Sequence, residues 1–221
     1  MKRKLMKFFT AWFVQPYVRR KMQRSSFYKW EDVTLFLPPG VFHPGYFYST
    51  KYLLQFILKQ HISGKQLLEL GAGNGLISIA SAKRGAKVSA SDISKEALRS
   101  LRDNARTNHV GLTIIESDLF EQIPDAPYDY IVINPPFYPL DPRNDLERAW
   151  YCGQDYAYFR KMFEQLPVFM HPQTKVYMIL SEDTGIGQIE NLAGFGNLRL
   201  EMTEKKQIFY EWNYIYEIVR A

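Results

Sequence analysis

Gly71, Gly73 and Gly75 alternate with Ala72 and Asn74 directly after the apolar run 66–70 and before a helix-patterned stretch, 76–84. Glycines at that spacing let a chain turn sharply from strand to helix and bring its backbone against a ligand with no Cβ in the way. The downstream residues fit the same kind of unit. Runs 87–91, 113–117, 128–133 and 175–181 read as further strands, and 95–108 and 156–170 as helices. Such alternation predicts a parallel sheet wound by helices. After Gly196 the pattern changes to two β-type runs, 198–204 and 208–219, separated by a polar turn at Lys205, Lys206 and Gln207. The expectation is an α/β fold with a seven-stranded, mostly parallel sheet closed by an antiparallel C-terminal hairpin. Upstream, Pro38-Pro39-Gly40 and His43-Pro44-Gly45 interrupt an aromatic segment, and Ser49 or Thr50 is placed to cap a helix running to about residue 60 and lying across the strand ends.

In an open sheet of this kind the ligand crevice lies outside the carboxyl ends of the strands. Three successive strands end in acids there: Glu69 before the glycine loop, Asp92 followed by Ile93, and Asp118 followed by Leu119. A dinucleotide fingerprint would carry a third small residue at the sixth position, but Leu76 stands there. Glu69 would repel a pyrophosphate and attract an ammonium or hydroxyl groups; Asp92 can accept from two ribose hydroxyls; Asp118 can accept from an exocyclic adenine amine. Each acid alone could equally cap the turn that follows it, and it is their joint placement beside one glycine loop that points to a ligand.

The fourth strand ends in Asn134-Pro135-Pro136-Phe137. An exocyclic amine or a carboxamide has its nitrogen lone pair delocalised and is a poor nucleophile. The Asn134 side-chain carbonyl and the Pro135 backbone carbonyl can both accept from such an NH2 group and orient its lone pair. Consecutive prolines stiffen the turn, and Phe137 offers a face for a planar group to stack on. Read without chemistry, the same residues would be a strand-terminating turn.

Together these residues resemble class I S-adenosylmethionine-dependent methyltransferases over about residues 38–221. The resemblance implies a Rossmann-like fold and S-adenosyl-L-methionine as cofactor. It places Glu69, Gly71, Ala72, Gly73 and Gly75 under the methionine part, Asp92 at the ribose and Asp118 at the adenine, with Ile93, Leu119 and Asn134 also among the cofactor-binding residues. Asn134, Pro135, Pro136 and Phe137 resemble the N-P-P-[FY] signature of enzymes that methylate planar nitrogen: adenine N6, guanine N2 of ribosomal RNA, or the glutamine amide of release factors. No metal is implied. The segment 37–45 resembles the P-G-V-F segment of the guanine-N2 branch but lacks the acid that comes after it there, and Ser49-Thr50 is read as lying over the methionine moiety.

Of the 221 residues, the first 30 hold nine basic side chains and no acid, whereas the remainder has 19 basic against 23 acidic. A basic, aromatic N-terminal arm, 1–30, is thus divided from a mildly acidic domain, 31–221, and a uniformly basic nucleic-acid coat is excluded. The arm's aromatic residues suit contact with RNA phosphates and unpaired bases, with docking on the domain or resting on a membrane surface as alternatives. Cys152 is the single cysteine, so an internal disulfide and multi-cysteine zinc sites are excluded and a reducing, cytoplasmic setting fits. It is read as packing, not as a nucleophile, and His43 as a structural residue in preference to a base. No run approaches a membrane span. The sequence therefore predicts an N-methyltransferase acting on a planar NH2 nitrogen, with an RNA base favoured, a protein glutamine as the alternative, and a non-catalytic RNA-binding protein on the same fold as the third.

Overall fold

Apolar residues occupy both parities of the central strands, so both faces of the sheet must be covered. The structure, a computed structural model, describes residues 24–39, 43–45, 48–208 and 211–221; most of the basic arm, 1–23, lies outside them. A two-stranded antiparallel hairpin, β1 (Ser26–Trp30) and β2 (Val33–Leu37), precedes α1 (Tyr48–Ile57). The main unit then runs β3 (Gln66–Leu70), α2 (Leu76–Lys83), β4 (Lys87–Asp92), α3 (Lys95–Thr107), β5 (Thr113–Glu116), β6 (Tyr130–Ile133), a short α4 (Asp145–Arg148), α5 (Ala157–Phe169), β7 (Lys175–Ser181), α6 (Ile186–Phe195), β8 (Leu198–Ile208) and β9 (Glu211–Arg220).

These strands form one seven-stranded sheet in the order β5-β4-β3-β6-β7-β9-β8, parallel except where β9 pairs with β7 and β8. Leu67, Val132, Tyr177 and Ile179 face one side with α1, α2, α3 and β2; Leu68, Ile133, Met178 and Leu180 face the other with α5 and α6. The predicted fold class is the observed one.

Several boundaries differ. Lys205, Lys206 and Gln207 are not the hairpin turn: they pair with Tyr214, Asn213 and Trp212, and the strands close at Ile208 and Glu211. Their polarity marks an outer edge strand facing solvent, where charge is tolerated, and Lys205 and Lys206 lay their ammonium groups over Trp212 and Tyr52. Ser49 and Thr50 are buried inside α1, which begins at Tyr48, and are not its caps. That helix ends at Ile57. Its body packs against the sheet face, with Phe56 edge-on to Tyr177, and only its first turn reaches the strand ends. The helix α6 carries no strong sequence pattern of its own and is not among the predicted elements.

The hairpin pairs Ser26–Trp30 of the arm with β2, and β2 docks on α3. Asn108 accepts from the Thr34 amide at 2.9 Å and donates to the Thr34 carbonyl; Asn104, one helical turn earlier, does the same for Phe36. Side chains at i and i+4 on a helix are spaced about like residues i and i+2 of a strand, so two amides substitute for a neighbouring strand. Lys83 and Arg84 hold the hairpin turn through Asp32 and Glu31.

Asn104 is 1% exposed, and its Nδ2 also donates to the Asn74 carbonyl in the glycine loop. Replacing Asn104 with Ala should cost about 2–3 kcal/mol, because part-buried backbone groups of Phe36 and the Asn74 carbonyl lose a partner. Urea unfolding checks this, with the exposed Asp103→Ala expected to change stability by less than about 0.5 kcal/mol.

Candidate active site

The glycine loop sits where β3 ends. Gly75 takes a left-handed conformation, φ 85°, and a Cβ there would meet Leu101 Cδ1 at 2.1 Å, so only glycine lets α2 start against α3. Gly71 and Gly73 are also left-handed, but a Cβ on either would meet nothing within 4 Å. The loop thus turns a bare backbone towards open space at the carboxyl edge of the sheet. That is the cradle a ligand's main body needs.

Two carboxylates hold this loop. Glu69 is buried, and one of its oxygens accepts from the Ser78 amide at 2.8 Å and from the Ser78 hydroxyl, satisfying an amide of the first turn of α2. That oxygen therefore supports the loop from beneath. Burial pushes the Glu69 pKa up to about 8 against the pull of the two Ser78 donors, and the Asp92 charge adds to the rise. Asp92 accepts from the Gly73 amide at 2.8 Å and the Ser94 amide at 2.9 Å, tying the end of β4 to the loop. Ala72 is fixed by its amide donating to the Ser91 carbonyl. Asp92 is only part-buried.

Further along the edge, Ile93 is exposed, a suitable apolar wall for a planar ring. Asp118 is part-exposed and pairs with Lys161 at 2.6 Å, the same lysine also meeting Glu121. Its carboxylate is therefore shared with α5, whereas the strand-end pattern leaves it free for an amine. Leu119 is buried with φ 56°, and its side chain joins the core cluster that contains Ile131 and Ile133 of β6. Tyr158 is absent from the residues predicted for the site. Burial raises its phenol pKa, and the Asp92 and Asp118 charges add to the rise. Nothing in its local pattern marks it, since it comes from the far side of the sheet on α5.

At the end of β6, Asn134 is part-exposed, Pro135 buried, and Pro136 and Phe137 part-exposed. The Asn134 amide donates to Thr50 Oγ1 on α1 at 2.9 Å. Beyond Phe137 the chain returns on itself: Tyr138 bridges to Tyr151, and Cys152 donates to the Tyr138 carbonyl both from its amide and, at 3.3 Å, from its thiol. Burial pushes the Cys152 thiol up to about 11, which fits packing and not nucleophilic chemistry. Burial also raises the Tyr138 phenol, and Glu211 and Asp183 add to it. His43 accepts from the Gly45 amide at 3.0 Å and lies edge-on to Tyr28, a structural placement, and burial lowers its pKa. Among the described residues no group of His, Cys, Asp and Glu side chains could hold a metal ion.

The Glu69 carboxyl is protonated in the folded chain up to about pH 8, whereas its ordinary value is 4.5. Its contribution to stability is complete below pH 4.5 and is lost as pH rises through 8. The ligand-free protein should lose stability between about pH 5 and 8 more steeply than Glu69→Gln, by up to about 1.4 kcal/mol per pH unit. Denaturant midpoints of the two proteins across that range measure the difference.

The methyltransferase small domain family matches residues 32–148, more than half of the chain. A Methanocaldococcus jannaschii protein named for protein N5-glutamine methylation is 32% identical over 187 residues, covering 82% of this chain and 92% of its own length. The release factor glutamine methyltransferase of Lactococcus lactis is 30% identical over 150 residues; that alignment takes in 62% of this chain and 55% of the relative, so the chain spans about half of that enzyme. Among solved structures, the E. cuniculi Mtq2–Trm112 complex aligns at TM-score 0.63 and 18% identity, covering 82% of this chain and 99% of the other. The 16S rRNA N2 G1207 methyltransferase of T. thermophilus, solved with AdoMet and guanosine, aligns at TM-score 0.61 and 20% identity, covering 88% and 50%. At those identities the structures speak for the fold. The chain belongs to the methyltransferase small domain family and is an S-adenosylmethionine-dependent methyltransferase.

Proposed function

We propose that the chain methylates a planar NH2 nitrogen, and that this nitrogen belongs to the side-chain amide of a protein glutamine. The observation that carries the planar nitrogen is the Asn134 carboxamide at the sheet's carboxyl edge: its Nδ2 is engaged by Thr50, which leaves Oδ1 as an acceptor. Oδ1 and the Pro135 carbonyl take the two N–H bonds of the substrate, align the nitrogen lone pair, and so favour attack by orientation. Phe137 packs on the planar group. The substrate nitrogen would gain the methyl as the methyl–sulfur bond breaks, leaving a neutral thioether, and would give its proton to solvent.

S-adenosylmethionine supplies an electrophilic methyl on a sulfonium. Its binding falls to the backbone of Gly71, Ala72 and Gly73, to Asp92 through the ribose hydroxyls, to Ile93 as a wall for the ring, and to Asp118 and the adjoining backbone for the adenine amine. Asn134 closes the methionine end. Gly75 and Glu69 act beneath the loop. The open cradle over Gly71 and Gly73 and the part-exposed Asp92 fit that ligand.

What supports glutamine over a base is the relative aligned over nearly its whole length, which is named for glutamine. An RNA base is the second reading. It is favoured by the basic arm and by Phe27, which stands 76% exposed on β1 across from Phe36, as a stacking surface would.

Tritiated S-adenosylmethionine and an extract from cells deleted for this chain should give label in the protein fraction, released as methylamine by acid hydrolysis. Asn134→Ala should abolish transfer while leaving cofactor affinity, by calorimetry, within a few-fold; undiminished transfer would falsify the assignment. Label in RNA would select the second reading. In that case deletion of residues 1–23, which spares β1, should lower the salt dependence of RNA binding by several counterions.

A further inference from the structure

We propose that Thr50 is a positioning residue for catalysis: its hydroxyl accepts from Asn134 Nδ2 and thereby holds the Asn134 carbonyl outward against the substrate NH2. The inference rests on the reading of Asn134 as the substrate's acceptor. An asparagine carboxamide has two ends of nearly the same shape and opposite hydrogen-bonding sense. Facing an NH2 group, only the oxygen end works; the nitrogen end would set donor against donor. The side chain therefore needs an acceptor behind it to take its own NH2, and a torsional anchor to keep its plane fixed.

Thr50 meets both needs. Its Oγ1 lies 2.9 Å from Asn134 Nδ2, across 84 residues of sequence. It is 7% exposed, on the first turn of α1, and that helix is clamped to the sheet by Leu53, Leu54 and Ile57, all fully buried. The hydroxyl thus sits on a rigid element, and β-branching narrows its own rotamers. Asn134 is equally fixed at its backbone by β6 and the proline pair. Without the Thr50 oxygen, Nδ2 is left unpartnered in a part-buried site and the amide can rotate about its last torsion, which is intrinsically soft. Misplacement of an orienting group by about 1 Å can cost ~100-fold in rate. The expected place of Ser49-Thr50 is over the methionine moiety; the contact that is seen runs to the Asn134 turn.

The test uses the full chain and the same extract assay, at saturating tritiated S-adenosylmethionine. Thr50→Val, close in shape but with no hydroxyl, should lower the initial rate about 10- to 100-fold. Cofactor affinity by calorimetry should stay within about two-fold, and Thr50→Ser, which restores the acceptor, should stay within about three-fold of wild type in rate. Thr50→Ala, which cannot overpack, should show the same loss as Thr50→Val. Three results overturn the proposal: a wild-type rate for Thr50→Val; a fall in cofactor affinity that matches the fall in rate, which would assign Thr50 to the cofactor; or Val and Ala variants that no longer bind cofactor or unfold cooperatively, which would make its role structural. Should Asn134→Ala retain transfer, it is the reading of Asn134 that fails, and the Thr50 variants still report whether the hydroxyl affects rate.

Discussion

Everything at this site depends on holding a bare glycine loop in one place. A backbone without side chains gains nothing from packing, and Gly71 and Gly73 face open space, so their conformation has to be imposed from beneath. Two carboxylates do this from adjacent strands. Glu69 reaches forward to the first turn of α2 through Ser78, and Asp92 reaches sideways to Gly73 while satisfying Ser94. A carboxyl group can accept from two donors at once, which suits both side chains to the task. Burying Glu69 is unfavourable for its charge, and its raised pKa records that. The loop's order is thus gained against a desolvation cost that a surface turn would not carry.

The same logic extends outward. Asn104 joins the loop, through the Asn74 carbonyl, to an N-terminal hairpin that charge alone would have left partly in a basic arm. On the other side Asn134 is joined to α1 through Thr50. In both cases a side-chain amide bridges elements distant in sequence, and in both it presents a donor and an acceptor in a fixed relation. The crevice is consequently framed by a hairpin, a helix and three strand ends whose relative positions are set by hydrogen bonds and not by apolar packing alone.

The features legible in the sequence are those that obey local rules. The strand and helix pattern, the glycine loop and the Asn134 turn are all properties of short windows, and the limits of β3 and β7 are legible to the residue because buried strands of this kind are bounded by polar and turn-forming residues. Misreadings arise where the environment outranks the window. Lys205 and Lys206 look like a turn because an exposed edge strand has no apolar face to announce it. Ser49 and Thr50 look like caps because the same residue types serve as caps and as buried hydrogen-bonding groups.

The sequence by itself determined the fold class, the functional groups of the Asn134 turn and the order in which acids finish successive strands, because each is written in contiguous residues. Only the tertiary structure decided how those acids are used. Glu69 and Asp118 carry the same functional group, yet one is buried under α2 with Ser78 and the other is shared with Lys161 on α5, while Asp92 alone of the three combines backbone donors with partial exposure. The partner of a carboxylate, or of the Asn134 amide, comes from wherever the chain returns in space, and that is fixed by packing across the sheet at separations no local pattern encodes.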